Sequence, residues 1–199
     1  NVIQSTREAF RGTGVQILVI SGEEPPEGVI IDNLAVIPGL QYRKTAYLSM
    51  AEGLSDALKD AAQKHFGSQP DVWHFHNHSL GKNVLMPLAI ANLAEEKAGI
   101  LLQMHDFPED GRHRNYSAQR SFFDGEKDFR RTLYPLASHV HYATINQRDW
   151  NFLKSAGMRS DHLHLLPNSV TGIKPATTPD EKPFSKGKRF LLYPTRAIR

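Results

Sequence analysis

A doubly wound α/β architecture, a parallel sheet with helices on both faces, is what this sequence predicts. Three observations carry the prediction. Strand-length segments rich in apolar and β-forming residues recur along the chain, as at residues 15–20, 100–105 and 139–145. Between them lie longer segments whose apolar residues repeat at helical spacing. Glycines close most of those segments, at Gly67, Gly99 and Gly157. Strands that alternate with helices form parallel sheets, because each return to the sheet needs a crossover.

Each element follows in order. Residues 2–11 place Val2, Ile3 and Phe10 on one helical face, and Gly12 and Gly14 stop the helix. Residues 15–20 are apolar but for Gln16, the mark of a strand buried on both faces. Glu23-Glu24-Pro25-Pro26 breaks that run, and a β-rich stretch over 28–37 ends at Pro38-Gly39. Residues 46–66 form an amphipathic helix with Tyr47, Met50, Leu54, Leu58, Ala61 and His65 at three-to-four spacing. The rhythm then becomes regular: strand 71–76, helix 82–97, strand 100–105, polar loop 107–117, helix 118–134, strand 139–145, helix 147–156, strand 162–167.

The carboxyl-terminal part differs. Residues 171–188 hold Pro175, Pro179, Pro183, Thr177 and Thr178 among several lysines, which is linker composition. Residues 189–193 read as a new strand that opens a second domain. The first helix lacks the preceding strand that a right-handed crossover requires. The expectation is therefore a fragment: a Rossmann-like domain over 1–170, a linker over 171–188, and over 189–199 the first strand of a truncated second domain.

Composition sets the bounds. The 199 residues are 40% hydrophobic and 23% charged, with 14 Gly and 12 Pro, the proportions of an ordinary globular chain. A chain this long buries roughly 70% of its unfolded surface, so its core needs no covalent or metal staple. No stretch approaches the ~18 apolar residues of a membrane span. The chain has no cysteine, which removes disulfides, thiol catalysis and cysteine-type zinc sites. With no leader pattern at the start, the expected location is the cytoplasm, with peripheral contact at the inner membrane face as the one alternative. The net charge of +3 is uneven: residues 171–199 carry seven Lys/Arg against two Asp/Glu, which leaves the first 170 residues slightly acidic. A basic tail on an acidic body argues against nucleic acid as a partner.

In an open parallel sheet, ligands bind beyond the carboxyl ends of the strands. Polar residues stand at each such end: His76, Asn77 and His78; His105 and Asp106, followed by Arg112; Asn146 and Gln147; Pro167 and Asn168. Together they outline a binding cleft. His105-Asp106 can act as a ligand-contacting pair in which the carboxylate orients the imidazole. Arg112, with His113 and Arg114, suits an anionic or hydroxylated ligand. His74, His76 and His78 recur at spacing two, but the strand is expected to end near residue 77 and turn His78 away; His74 and His76 with Asp106 offer a zinc-type constellation for a metal-dependent hydrolase. A hydrogen-bonding or core role for those histidines is the simpler alternative. No Gly-x-Gly-x-x-Gly follows a strand, and neither a Walker A loop nor a Gly-x-Ser-x-Gly elbow is present.

Four motifs occur in a particular order: Asp71-Val72-Trp73-His74-Phe75-His76; Gln103-Met104-His105-Asp106-Phe107-Pro108; Leu165-Leu166-Pro167-Asn168-Ser169-Val170; and Leu191-Leu192-Tyr193-Pro194-Thr195-Arg196. The series resembles the amino-terminal domain of retaining GT-B glycosyltransferases, family 4 (group 1). Thr195 and Ser169 stand where that family usually has glycine. The resemblance implies an enzyme that moves a sugar from a nucleotide-sugar to a sugar, lipid or small-molecule acceptor with retention. It implies no cofactor beyond the nucleotide-sugar co-substrate and no metal. His105 would face the donor sugar, Arg196 would contact the donor diphosphate, and the fragment alone would be inactive. Another enzyme of the same two-domain fold, such as a nucleotide-sugar epimerase, is the nearest alternative.

Overall fold

A computed structural model describes residues 2–168 apart from 111 and 124, all within the first of two compact units, Asn1–Ser169. The linker expected over 171–188, the strand over 189–193 and Arg196 lie outside the described residues. The elements are α1 (Val2–Ala9), β1 (Val19–Ser21), β2 (Leu34–Val36), α2 (Met50–Phe66), β3 (Trp73–His76), α3 (Met86–Glu95), β4 (Ile100–Met104), α4 (His113–Arg120), α5 (Glu126–Leu133), β5 (Val140–Thr144), α6 (Gln147–Ser155) and β6 (Leu163–Leu165). This is an α/β, Rossmann-like arrangement, and all of its strand pairs are parallel.

The strands form two sheets rather than one. β3-β4-β5-β6 make a four-stranded sheet in chain order, and β1-β2 pair separately. The long apolar run expected to be one doubly buried strand is a strand only at its end, since Val15 is 53% exposed and has no sheet partner. Likewise only Leu34–Val36 of the 28–37 stretch is paired, and Ile30 is 86% exposed.

Register and pleat divide the larger sheet into two faces. Trp73, Ile100, Val140 stand in register, as do Phe75, Leu102, Tyr142 and Leu163. This face packs against Leu58 and Ala62 of α2, Ile90 and Leu93 of α3, and Leu153 of α6 to make the main core. Burying side chains of this size stabilises by roughly 2–3 kcal/mol each. A second cluster, Ala51, Leu54, Leu85 and Ala89, joins α2 to α3. The opposite face carries His74 beside Leu101 and His141, and His76 beside Gln103, Ala143 and His164. Val72, Leu101, His141, His164 and Leu166 there line an open depression of about 510 Å³.

Local sequence explains the boundaries. Gly67, at φ 75°, ends α2, and its N–H bonds Gln63 O at 2.9 Å. A Cβ at Gly99 would lie 2.4 Å from the Asp71 carbonyl oxygen, so only glycine admits the close approach of β3 and β4. α3 starts at Met86 rather than at 82, because Asn83 is used elsewhere. Its Nδ2 donates to Gly39 O (2.7 Å) and Gln41 O (2.8 Å), and its Oδ1 accepts from Leu85 N (2.9 Å). The single helix expected over 118–134 is two, α4 and α5, with α4 opening inside the expected polar loop. The interruption, at which Gly125 is extended, lets Tyr116 and Phe123 both pack on the buried Phe129, at ring separations of 5.1 and 5.4 Å. Among the described residues no helix is long and apolar enough to cross a membrane.

Candidate functional site

The carboxyl ends of β3 and β4 lie side by side, which brings His76 and Asn77 against His105 and Asp106. Asn77 has a left-handed backbone, φ 53°, a conformation that asparagine tolerates better than most residues. Its N–H bonds Gln103 O at 2.9 Å. Its side-chain Oδ1 accepts from the His105 N–H at 2.7 Å and from the Asp106 N–H at 3.3 Å. The chain leaving β4 is therefore tied to the chain leaving β3.

The imidazoles continue the contact. His76 Nδ1 and His105 Nε2 are 3.2 Å apart, so one donates to the other. His74 stacks on His76 at 4.3 Å, and its Nε2–H donates to Gln103 Oε1 at 2.9 Å. Gln103, only 2% exposed, passes the connection on through its Nε2 to Leu166 O at 3.4 Å. Burial holds His76 down to about 4, with help from the neighbouring His74 and His105 rings. Burial also lowers His74 and His105, although Asp106 pulls His105 partly back. At neutral pH the row is uncharged and donates or accepts hydrogen bonds without bringing net charge.

The expectation that Asp106 orients the His105 imidazole is not met. The Asp106 Oδ2 takes an ion pair with Arg112 Nη2 at 3.2 Å, and the ring partner of His105 is His76. His78 is not at the cleft. It is 4% exposed, its Nε2–H donates to Leu133 O at 2.8 Å, and its Nδ1 is buried without a partner. Burial pushes this ring down to about 4. Asn168 is exposed just beyond β6, two residues past Leu166. The metal constellation of His74, His76 and Asp106 is not assembled. His74 is bonded to Gln103, Asp106 to Arg112, and no group of three or more His, Cys, Asp or Glu among the described residues could hold a metal ion.

Several contributors escaped the sequence reading. Gln103 is a lone polar residue in an apolar strand run, a signal that it needs a buried partner. Glu109 and Asp110 look like solvated loop charges, yet both anchor the segment after His105. Tyr134 OH donates to Glu109 Oε2 at 3.0 Å, and Arg148 Nη2 bonds Asp110 Oδ2 at 3.1 Å. Asn146, a strand-end candidate, caps α6, its Oδ1 accepting from Asp149 N at 2.9 Å.

On the basic side, three segments lock together near Gly81. Arg43 N donates to Lys82 O at 2.7 Å, Val84 N to Arg43 O at 3.0 Å, and Asn115 Nδ2 to Leu80 O at 2.9 Å. Arg43, Lys82, Arg112 and Arg114 lie on these segments, but the Arg43 guanidinium reaches Met50, Lys82 stands over the Tyr42 ring, and Arg112 pairs with Asp106.

No protein-family model matches the chain, and no solved structure matches it. The chain is 30% identical over 219 aligned positions to a mannosylglucosyl-3-phosphoglycerate synthase of Petrotoga mobilis. The match covers all of this chain and 42% of that protein, so the chain spans less than half the length of the curated relative it matches. The likeness supports a relationship to a glycosyltransferase.

Proposed function

We propose that this chain is the acceptor-side part of a retaining, nucleotide-sugar-dependent glycosyltransferase of the two-domain GT-B type. The observation that carries the proposal is the position of His105: a neutral imidazole at the carboxyl edge of a parallel sheet, held from two sides, in a chain related to a sugar-transferring synthase. His105 hydrogen-bonds a hydroxyl of the donor sugar. The bond from the anomeric carbon to the diphosphate oxygen breaks, and the nucleoside diphosphate leaves with the electron pair. The acceptor hydroxyl oxygen takes its place on the same face, and its proton passes to the departing phosphate. The leaving-group charge is met by groups outside the described residues, with Arg196 as the expected contact.

The acceptor is a phosphorylated small molecule of the glyceric-acid class. The relative's name carries a 3-phosphoglycerate group, and Arg112 stands at the cleft, paired with Asp106 next to His105. Guanidinium groups suit phosphate and carboxylate because their paired N–H donors match those oxygens. Asn168, exposed two residues past Leu166, is a further candidate for substrate contact.

The test is on full-length protein. Uridine and guanosine diphosphate-sugars are screened for release of nucleoside diphosphate, with and without phosphorylated acceptors and a chelator. One donor is expected to react in the presence of chelator, faster with an anionic acceptor than with its dephosphorylated form, and His105→Ala is expected to lower kcat about 10²–10³-fold. Activity that needs an added metal and leaves nucleotide-sugars intact overturns the proposal. The 199-residue chain alone is expected to give no turnover.

A further inference from the structure

We infer that His76 and Asn77 are positioning residues that place the His105 imidazole, Asn77 through the backbone and His76 through the ring. The inference rests on the role proposed for His105 and deepens it. Two consecutive residues reach across from β3 to the end of β4. Asn77 spends its only side-chain acceptor on the N–H groups of His105 and Asp106, at 2.7 and 3.3 Å. Two donors on one carbonyl oxygen fill both of its lone pairs, so that oxygen is not available to a ligand hydroxyl. His76 meets His105 ring to ring at 3.2 Å. A neutral imidazole has one donor and one acceptor nitrogen, and the bond one nitrogen makes fixes the role of the other. The contact therefore decides whether the remaining nitrogen of His105, Nδ1, offers a proton or a lone pair to the cleft. His76 is itself held by the stacked His74, whose Nε2–H is tied to Gln103.

The left-handed backbone of Asn77 belongs to the same device. It lies at φ 53° immediately after β3, where the chain must turn for the side chain to reach back to β4. Few residue types satisfy both demands. Glycine meets the backbone demand alone, and aspartate meets both. This gives a clean separation between turning the chain and holding His105.

The experiment compares Asn77→Gly, Asn77→Asp and His76→Phe. Thermal melts first establish that each variant folds, and His76→Phe keeps a ring to stack on His74. Long-range proton–nitrogen spectra of the labelled chain then report the His105 ring. The wild type is expected to show a single tautomer, and Asn77→Gly and His76→Phe to show averaged ones. In full-length protein those two variants are expected to lose about 10–100-fold in kcat, with the donor KM changed less than about 3-fold. Asn77→Asp is expected to recover most of what Asn77→Gly loses. An unchanged His105 ring and unchanged kcat in Asn77→Gly and His76→Phe overturn the inference, as does an Asn77→Asp loss as deep as that of Asn77→Gly. A larger effect on acceptor KM than on kcat also overturns it, because that marks direct binding. If the ring responds as expected while His105→Ala transfers sugar at the wild-type rate, the positioning stands and the role proposed for His105 falls.

Discussion

His78 shows what a single buried residue imposes on the molecule. Its ring is enclosed, its pKa is pushed to about 4 by burial, and one nitrogen is orphaned. The sign of the linkage follows. In the unfolded chain the ring protonates near pH 6.5, and in the folded chain it resists until about 4. Stability is therefore unaffected above the unfolded value and falls as pH drops from 6.5 toward 4, by up to about 3 kcal/mol for a shift of this size. Denaturant melts from pH 7 to pH 4 are expected to show this slope, to which His76 and the other lowered histidines add, and His78→Leu is expected to make it shallower without removing it. The same variant is expected to lose about 1–3 kcal/mol at pH 7, since Leu133 O then lacks its donor. From sequence, the strand is expected to end near residue 77, so that His78 turns away from the face of His74 and His76, and β3 does end at His76. What no local pattern shows is where His78 turns to, because its partner, Leu133 O, lies 55 residues away. The His105–Asp106 pairing failed for the same reason, because its competitor, Arg112, arrives through a folded loop.

At the scale of elements, the strands from 71 onward were legible, because buried parallel strands are rich in apolar residues and glycines close the helices between them, although the starts of those helices were not. The first third was less so. Its apolar runs at 15–20 and 28–37 are long, but pairing shortens them to three residues each. An apolar run shows an appetite for burial, not which partner meets it. The break between α4 and α5 was also hidden, since it exists to seat two aromatic rings on Phe129. Phe129→Ala is expected to cost about 3–5 kcal/mol by chemical denaturation, and a loss under 1 kcal/mol sinks this account of the break. Asn83 joins the segment after β2 to the loop after β3 with three hydrogen bonds. Asn83→Ala is expected to cost about 2–3 kcal/mol. Chemical denaturation of the variant checks this.

At the scale of the whole described unit, two sheets of unequal strength share one chain. β4 and β5 are paired on both sides within the four-stranded sheet, whereas β1 and β2 have only each other. Isolated two-stranded pairs are marginal in water. Hydrogen exchange is therefore expected to leave the β4 and β5 amides protected longest and to release those of β1 and β2 at least about 10²-fold faster. Equal protection in both sheets overturns the division. The resemblance in motif order correctly anticipated an α/β, Rossmann-like unit. It did not anticipate separate sheets, because motif order carries no information on which strand ends bond to which.

The plain succession β3, β4, β5, β6 has a consequence for how the molecule is made. Every strand of the larger sheet finds its neighbour next in synthesis, so each can be added as it leaves the ribosome, without waiting for a distant part of the chain. The Gln103–Leu166 bond, however, closes only after β6 has docked. The nascent protein thus completes its scaffold strand by strand, while the end of its histidine row matures last.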